Sequence, residues 1–194
     1  MTTKSSNRNK LLTEGLRVVH ERGYMGASVR DIVSAAGVPQ GSFTNHFASK
    51  EAFGLEVLDL YSEGNRRVIR ETLLNDALPP MQRLGAYIDA NLARLSRDEM
   101  RHGCLYGNFS AEACGHSEPI RHRLVEILDE VEGAVTSCLR VAVTHGDLPA
   151  STDCDDFAAY FVASLQGAFL LAKARRTAAP VERFKRLAFT KLLT

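Results

Sequence analysis

Residues 27–50, ASVRDIVSAAGVPQGSFTNHFASK, constrain the fold more tightly than any other part of the 194-residue chain. Val29, Ile32, Val33 and Ala36 recur at i, i+3, i+4 and i+7, the spacing of one buried helical face. Ser28 is placed to cap that helix, with Asp31 three residues on, close to a capping box. Gly37 suits the left-handed conformation in which many helices end. Pro39 then opens a second short helix, residues 40–47, whose outward positions Gln40, Gly41, Ser42, Thr44, Asn45 and His46 are small or polar. A helix so short and polar adds little to a core. Its outer face suits the base edges of a DNA major groove.

The rest of the chain also reads as helix, giving an all-α fold without strand patterns or repeats. Leu12, Leu16 and Val19 form a first stripe ending at Gly23. Ser49 caps a long pattern over residues 50–75, with Phe53, Val57, Leu60 and Tyr61 on one side. Pro79 and Pro80 restart the chain into the stripe Leu84, Ile88, Leu92 and Leu95. A helix starting near Ser117 carries Leu124, Leu128, Val131, Val135 and Leu139. Asp153 caps the next, and Pro180 opens the last, with Phe184, Leu187 and Leu192. Residues 157–172 are apolar nearly all round, which implies burial on more than one side. Either they form the inner core of a monomer, or they meet their twin in a four-helix dimer interface. Phe157, Phe161, Ser164, Leu165, Ala168, Phe184 and Leu187 are the candidate interface residues. A two-fold dimer also matches the way such DNA readers engage a palindrome.

The net charge of +1 hides an asymmetry. Lys4, Arg8, Lys10, Arg17, Arg22, Arg30 and Lys50 outnumber Glu14, Glu21, Asp31 and Glu51, a net +3 over residues 1–55 against −2 for the remainder. A basic front on a mildly acidic body suits a nucleic-acid-facing domain. It is too weakly basic for a nonspecific DNA-coating protein, which needs many more phosphate contacts. No apolar run approaches the roughly 20 residues of a membrane span. The polar start MTTKSSNRNK lacks a signal-peptide core, so a cytoplasmic protein is expected. Cys104, Cys114, Cys138 and Cys154 show no CxxC pair and no zinc spacing. They are expected as reduced thiols, with no metal and no cofactor.

The N-terminal motifs come in a recognisable order: Gly23–Tyr24, Ala27–Ser28–Val29–Arg30–Asp31–Ile32, Ala36–Gly37–Val38, Gly41–Ser42–Phe43, His46–Phe47 and Ser49–Lys50–Glu51. As a set, over roughly the first 55 residues, they resemble the DNA-binding domain of the TetR family of bacterial transcriptional regulators. The resemblance implies a helix-turn-helix domain over residues 1–49 and a helical effector-binding and dimerisation domain over 50–194. It further implies a homodimer that represses from a palindromic operator and is released by a small molecule. One position departs from the family pattern. Thr44 stands where a tyrosine is usual, and it reaches less far towards DNA.

Carried onto this sequence, Ser28 and Arg30 would hold phosphate at the start of the second helix. Gln40, Thr44 and Asn45 would face bases, since Gln and Asn can pair with adenine and Thr can touch a thymine methyl. Gly41 would let the backbone approach DNA, Ser42 is a further DNA-binding residue, and His46 and Lys50 would contact phosphate. Phe43 and Phe47 read as core. The segment His102–Gly103–Cys104–Leu105 resembles the Gly-Cys-Leu stretch that opens the sixth helix in a TetR subgroup that includes some electrophile sensors. Cys104 is therefore either a pocket-lining thiol or a redox and electrophile switch. Tyr61, Asn65, Tyr87, Tyr106, Asn108, Glu112 and Gln166 are candidate polar contacts for an effector. A cysteine-dependent enzyme using His102 is disfavoured, because residues two apart on a helix do not face each other. No catalytic residues are expected.

Overall fold

In the computed structural model, residues 2–192 are described, with side chains for 7–190; Lys4 and Leu192 have side chains outside that range. The described residues form nine helices and no strand. They are α1 (Thr2–Arg22), α2 (Val29–Ala36), α3 (Gly41–His46), α4 (Lys50–Glu71), α5 (Pro80–Ser96), α6 (Leu105–Glu112), α7 (Glu118–His145), α8 (Cys154–Arg175) and α9 (Ala179–Leu192). The chain divides into two compact units. One holds Met1–Glu63 and Leu105–Val125, and the other holds Gly64–Cys104 and Glu126–Thr194.

The first unit is organised by α1, α2, α3 and the start of α4. The buried stripe of α1 is Leu11, Gly15, Val18 and Val19, one residue away from the expected Leu12 and Leu16, which are half-buried. Ile32, Val33 and Ala36 bury the inner face of α2, while Val29 at its start is half-buried. A side chain at Gly15 would overlap the Phe53 ring, so the glycine lets α1 and α4 approach closely. Phe53 is fully buried and stands 5.3 Å from Phe43 and 5.0 Å from Phe47, ring centre to ring centre. These contacts explain why the unit runs past residue 49. They tie the first turn of α4 to the short helices before it. Leu60, expected on the inner face of α4, is instead exposed.

The second unit has a continuous apolar core from α5, α7, α8 and α9, including Leu84, Ile88, Val135, Leu139, Phe161, Leu165, Phe169 and Val181. This corrects two expectations. Phe161, Leu165 and Ala168 are 0%, 3% and 7% exposed, so they fill the protomer's own core and are closed to a partner. Phe161 meets Phe184 at 5.2 Å. Phe157, Ser164 and Phe184 are half-buried. The outward face of α8 instead carries Tyr160, Ala163, Gly167, Leu170, Leu171 and Ala174, and α9 exposes Leu187. The second correction concerns length. At 22 residues and a mean hydropathy of 1.4, α8 is long and apolar enough to cross a membrane by composition alone. Ala158, Phe161, Val162, Leu165 and Phe169 on its buried side show why a core helix reaches that value.

Replacing Phe53 by Ala empties the centre of the first unit. The expected loss is about 3–5 kcal/mol of stability, the usual range for a buried Phe→Ala change. Urea unfolding of the two proteins measures it.

Candidate nucleic-acid interface

Local chemistry builds the reading head. Ser28 lies in extended conformation and caps α2, its Oγ accepting from Asp31 N at 3.1 Å while Asp31 Oδ2 accepts from Ser28 N at 2.9 Å. These Ser28 hydrogen bonds, with the Arg22 guanidinium 2.7 Å away, hold the Asp31 carboxyl below its ordinary pKa. Gly37 closes α2 at φ +61°, donating to Ser34 O and Val33 O. The turn leads into α3, only 6 residues long, which Phe43 and Phe47 fasten to the core while its other face stays outside.

On that outer face Gln40, Gly41, Thr44 and Asn45 are exposed. Gln40 adopts helical angles and makes no capping bond with its side chain. Thr44 Oγ1 donates to Gly41 O at 3.1 Å, which pins the hydroxyl to the helix backbone. A side chain added at Gly41 would meet nothing within 4 Å, so the chain's own packing does not require glycine there. Ser42 and His46 are half-buried, and His46 packs edge-on against Phe47 at 6.4 Å. Arg30 is exposed on α2.

Lys50 also makes contacts within the chain. Its Nζ donates to Met25 O at 3.4 Å and lies 4.8 Å from the centre of the Tyr24 ring. Burial pulls its pKa down, partly opposed by the Glu112 carboxylate. The ammonium thus has a place against the α1–α2 turn as well as a half-exposed position. Glu112, a candidate effector contact, meets the same turn: its Oε2 accepts from Met25 N at 2.9 Å. Nothing local in the sequence signals this bond, whose partners lie 87 residues apart.

The remaining effector candidates fall into two sets. In the first unit, Tyr61 and Tyr106 stack edge to face at 5.0 Å, and Tyr106 hydrogen-bonds the Ser62 hydroxyl at 3.2 Å. Asn108 is half-buried nearby in sequence. In the second unit, Tyr87 is 4% exposed, and burial pushes its phenol up to about 12 despite hydrogen bonds with Asn65 and Asn91. The half-buried Cys104 is near enough to Tyr87 to act on it electrostatically. Gln166 Oε1 is buried without a hydrogen-bond partner among the described residues. A cavity of about 430 Å³ between α5 and α9, lined by Ile88, Asp89, Val181 and Lys185, includes none of the expected effector residues. Cys138 is buried, and desolvation pushes its thiol up to about 11.

Residues 11–57 match the family model described as bacterial regulatory proteins, tetR family. Residues 80–188 match the tetracyclin repressor-like C-terminal domain. The chain is 38% identical over 186 residues to the HTH-type transcriptional repressor DhaR of Mycobacterium sp. (strain GP1), covering 96% of this chain and 92% of that protein. The crystal structure of reduced E. coli NemR superposes with a TM-score of 0.86 at 28% identity, over 94% of each chain. A cysteine mutant of the TetR-family regulator CifR, complexed with 26-bp double-strand operator DNA, superposes with a TM-score of 0.79 at 28% identity, over 92% of this chain and 94% of that one.

Ser28→Ala removes the oxygen that accepts from Asp31 N. It should cost about 1 kcal/mol of stability, the typical worth of such a cap. Thermal or urea unfolding without DNA reads this loss separately from any effect on binding.

Proposed function

The chain belongs to the TetR family of bacterial transcriptional regulators, and from that premise we propose how this particular chain reads and releases its operator. It is an all-helical, helix-turn-helix DNA-binding regulator. In the proposed reading it acts in the cytoplasm as a repressor. Gln40, Thr44 and Asn45 of the α3 segment face base edges, Ser28 and Arg30 face phosphates, and Gly41 admits the sugar–phosphate backbone. The observation that carries the reading is the combination at α3. Its aromatic side is locked into the core, while its polar side is exposed and Gln40 is not used as a cap. An exposed glutamine side chain at the start of an anchored helix suits bidentate recognition of adenine.

Two protomers are proposed to bind one palindrome, meeting through α8 and α9. Tyr160, Leu170, Leu171 and Leu187 are 57%, 67%, 45% and 51% exposed. With Ala163 and Gly167 between them on α8, they form an apolar face that a second copy would cover. Effector binding to the C-terminal domain is proposed to change how the two heads are presented and so release DNA.

Selection of bound duplex from a random pool, followed by titration, tests the DNA reading. Gln40→Ala should weaken binding to the selected duplex by about 1–3 kcal/mol, with a smaller loss on random DNA. Two protomers should be found per bound duplex. Equal losses on both DNAs would remove Gln40 from base reading.

A second reading makes Cys104 a thiol switch. It is supported by a half-buried thiol one residue before α6, and by relatives studied in reduced and cysteine-mutant forms. An oxidant or enone should then release the operator from the parent protein and not from Cys104→Ser. Release of both alike would leave Cys104 as a lining thiol.

A further inference from the structure

We propose that Glu112 is a positioning residue of the reading head, holding the α1–α2 turn from the end of α6 and thereby setting where the N-terminus of α2 meets DNA. The inference rests on the reading of the chain as an operator-binding regulator. It starts from Met25, whose two backbone polar groups are held by side chains of opposite charge from two different helices. The N–H is held by Glu112, the last residue of α6, and the carbonyl by Lys50, the first residue of α4. Glu112 and Lys50 also attract each other.

The fit around this pair is close. A Cβ at Gly23 would lie 2.5 Å from Glu112 Oε1 and 2.7 Å from Oε2, so the carboxylate fills the space a side chain would need. Gly23 also has φ +82°, which independently favours glycine. Tyr24 is buried, with its ring 4.9 Å from that of Phe109 on α6. A Cβ at Gly54 on α4 would come within 2.7 Å of the same tyrosine ring. Ser117 adds a second tie, its Oγ donating to Glu51 at 2.7 Å. Three consecutive residues, Gly23, Tyr24 and Met25, are therefore fixed by α6 and α4 together.

The position of this turn matters because Ser28, the cap of α2, follows three residues after Met25. A shift of the Glu112 carboxylate moves the start of α2, and with it Ser28 and Arg30. α6 is a single short rod of 8 residues, about 10 Å from end to end at the usual helical rise. It begins one residue after Cys104.

The test uses the full chain and the duplex it selects from random DNA, followed by fluorescence anisotropy at several salt concentrations. Glu112→Ala is expected to weaken binding roughly tenfold, the scale of one lost charge-assisted hydrogen bond. The slope of log K against log salt should fall by about one, as one phosphate contact is lost. Glu112→Gln keeps an acceptor for Met25 N and should lose no more than about fivefold, the scale of a weakened half-exposed ion pair. Lys50→Met should weaken binding in the same direction. Thermal melts identify any variant that fails to fold, and Glu112→Gln then carries the test. Parent-like affinity and slope in Glu112→Ala, or a loss that follows only the unfolded fraction, would overturn the positioning role. Failure of the parent chain to enrich any sequence would overturn the operator reading on which it stands.

Discussion

The fastening of α3 by Phe43, Phe47 and Phe53 is the interaction on which the rest of the reading head depends. A helix of 6 residues has no stability of its own in water, because nucleation is unfavourable and too few bonds follow it. Its conformation comes from the three rings, each within 5.3 Å of the other two. That arrangement separates two requirements. The rings fix the position of α3, and the outward residues carry no share of the packing. Chemistry on the outer face can therefore vary from one regulator to another without reopening the core.

Charge in the head is less available than its net +3 suggests. Arg17 pairs with Glu14 and Glu21, Arg22 with Asp31, and Arg8 with Glu56 while lying over the Phe47 ring. Exposed pairs of this kind add little to stability. Their larger effect is on the field that DNA meets, since each neutralises a cation that could otherwise attract phosphate. With the Lys50 ammonium also engaged at Met25 O, the proposed DNA contact relies on a few placed groups more than on bulk positive charge. Recognition of that type keeps its sequence preference as salt rises, although its absolute affinity falls.

What was legible in the sequence follows the range of the interaction. The Ser28–Asp31 capping box, the Gly37 stop, the Ser49 and Asp153 caps and the Pro80 start are all fixed within four residues, and each is present in the structure. The outer residues of α3 were legible for the same reason. The Glu112–Met25 hydrogen bond was not, because Met25 lies 87 residues away in the turn between α1 and α2 and a carboxylate carries no sign of which amide it will meet. The faces of α8 were misassigned because a helix apolar on all sides has no periodicity to separate core from outer surface. Phe161 and Leu165 go inward while Leu170 and Leu171 go outward, and only the packing of α5, α7 and α9 decides this. The candidate effector residues divide between the two units for a similar reason. Adjacent positions such as Cys104 and Leu105 fall on opposite sides of a division that sequence spacing does not mark.

Two glycines of the head look alike in the sequence and answer to different masters. At Gly15 even one added carbon overlaps the Phe53 ring, so any substitution is judged first by whether the chain folds. At Gly41 the space is open, and alanine would ordinarily strengthen a helix by up to about 1 kcal/mol. Selection for heat resistance alone would therefore be free to replace Gly41 while preserving Gly15. In the proposed reading, only the need to bring DNA close opposes that drift. A variant library screened for folding and again for operator binding would show Gly15 depleted in both screens and Gly41 depleted in the second alone.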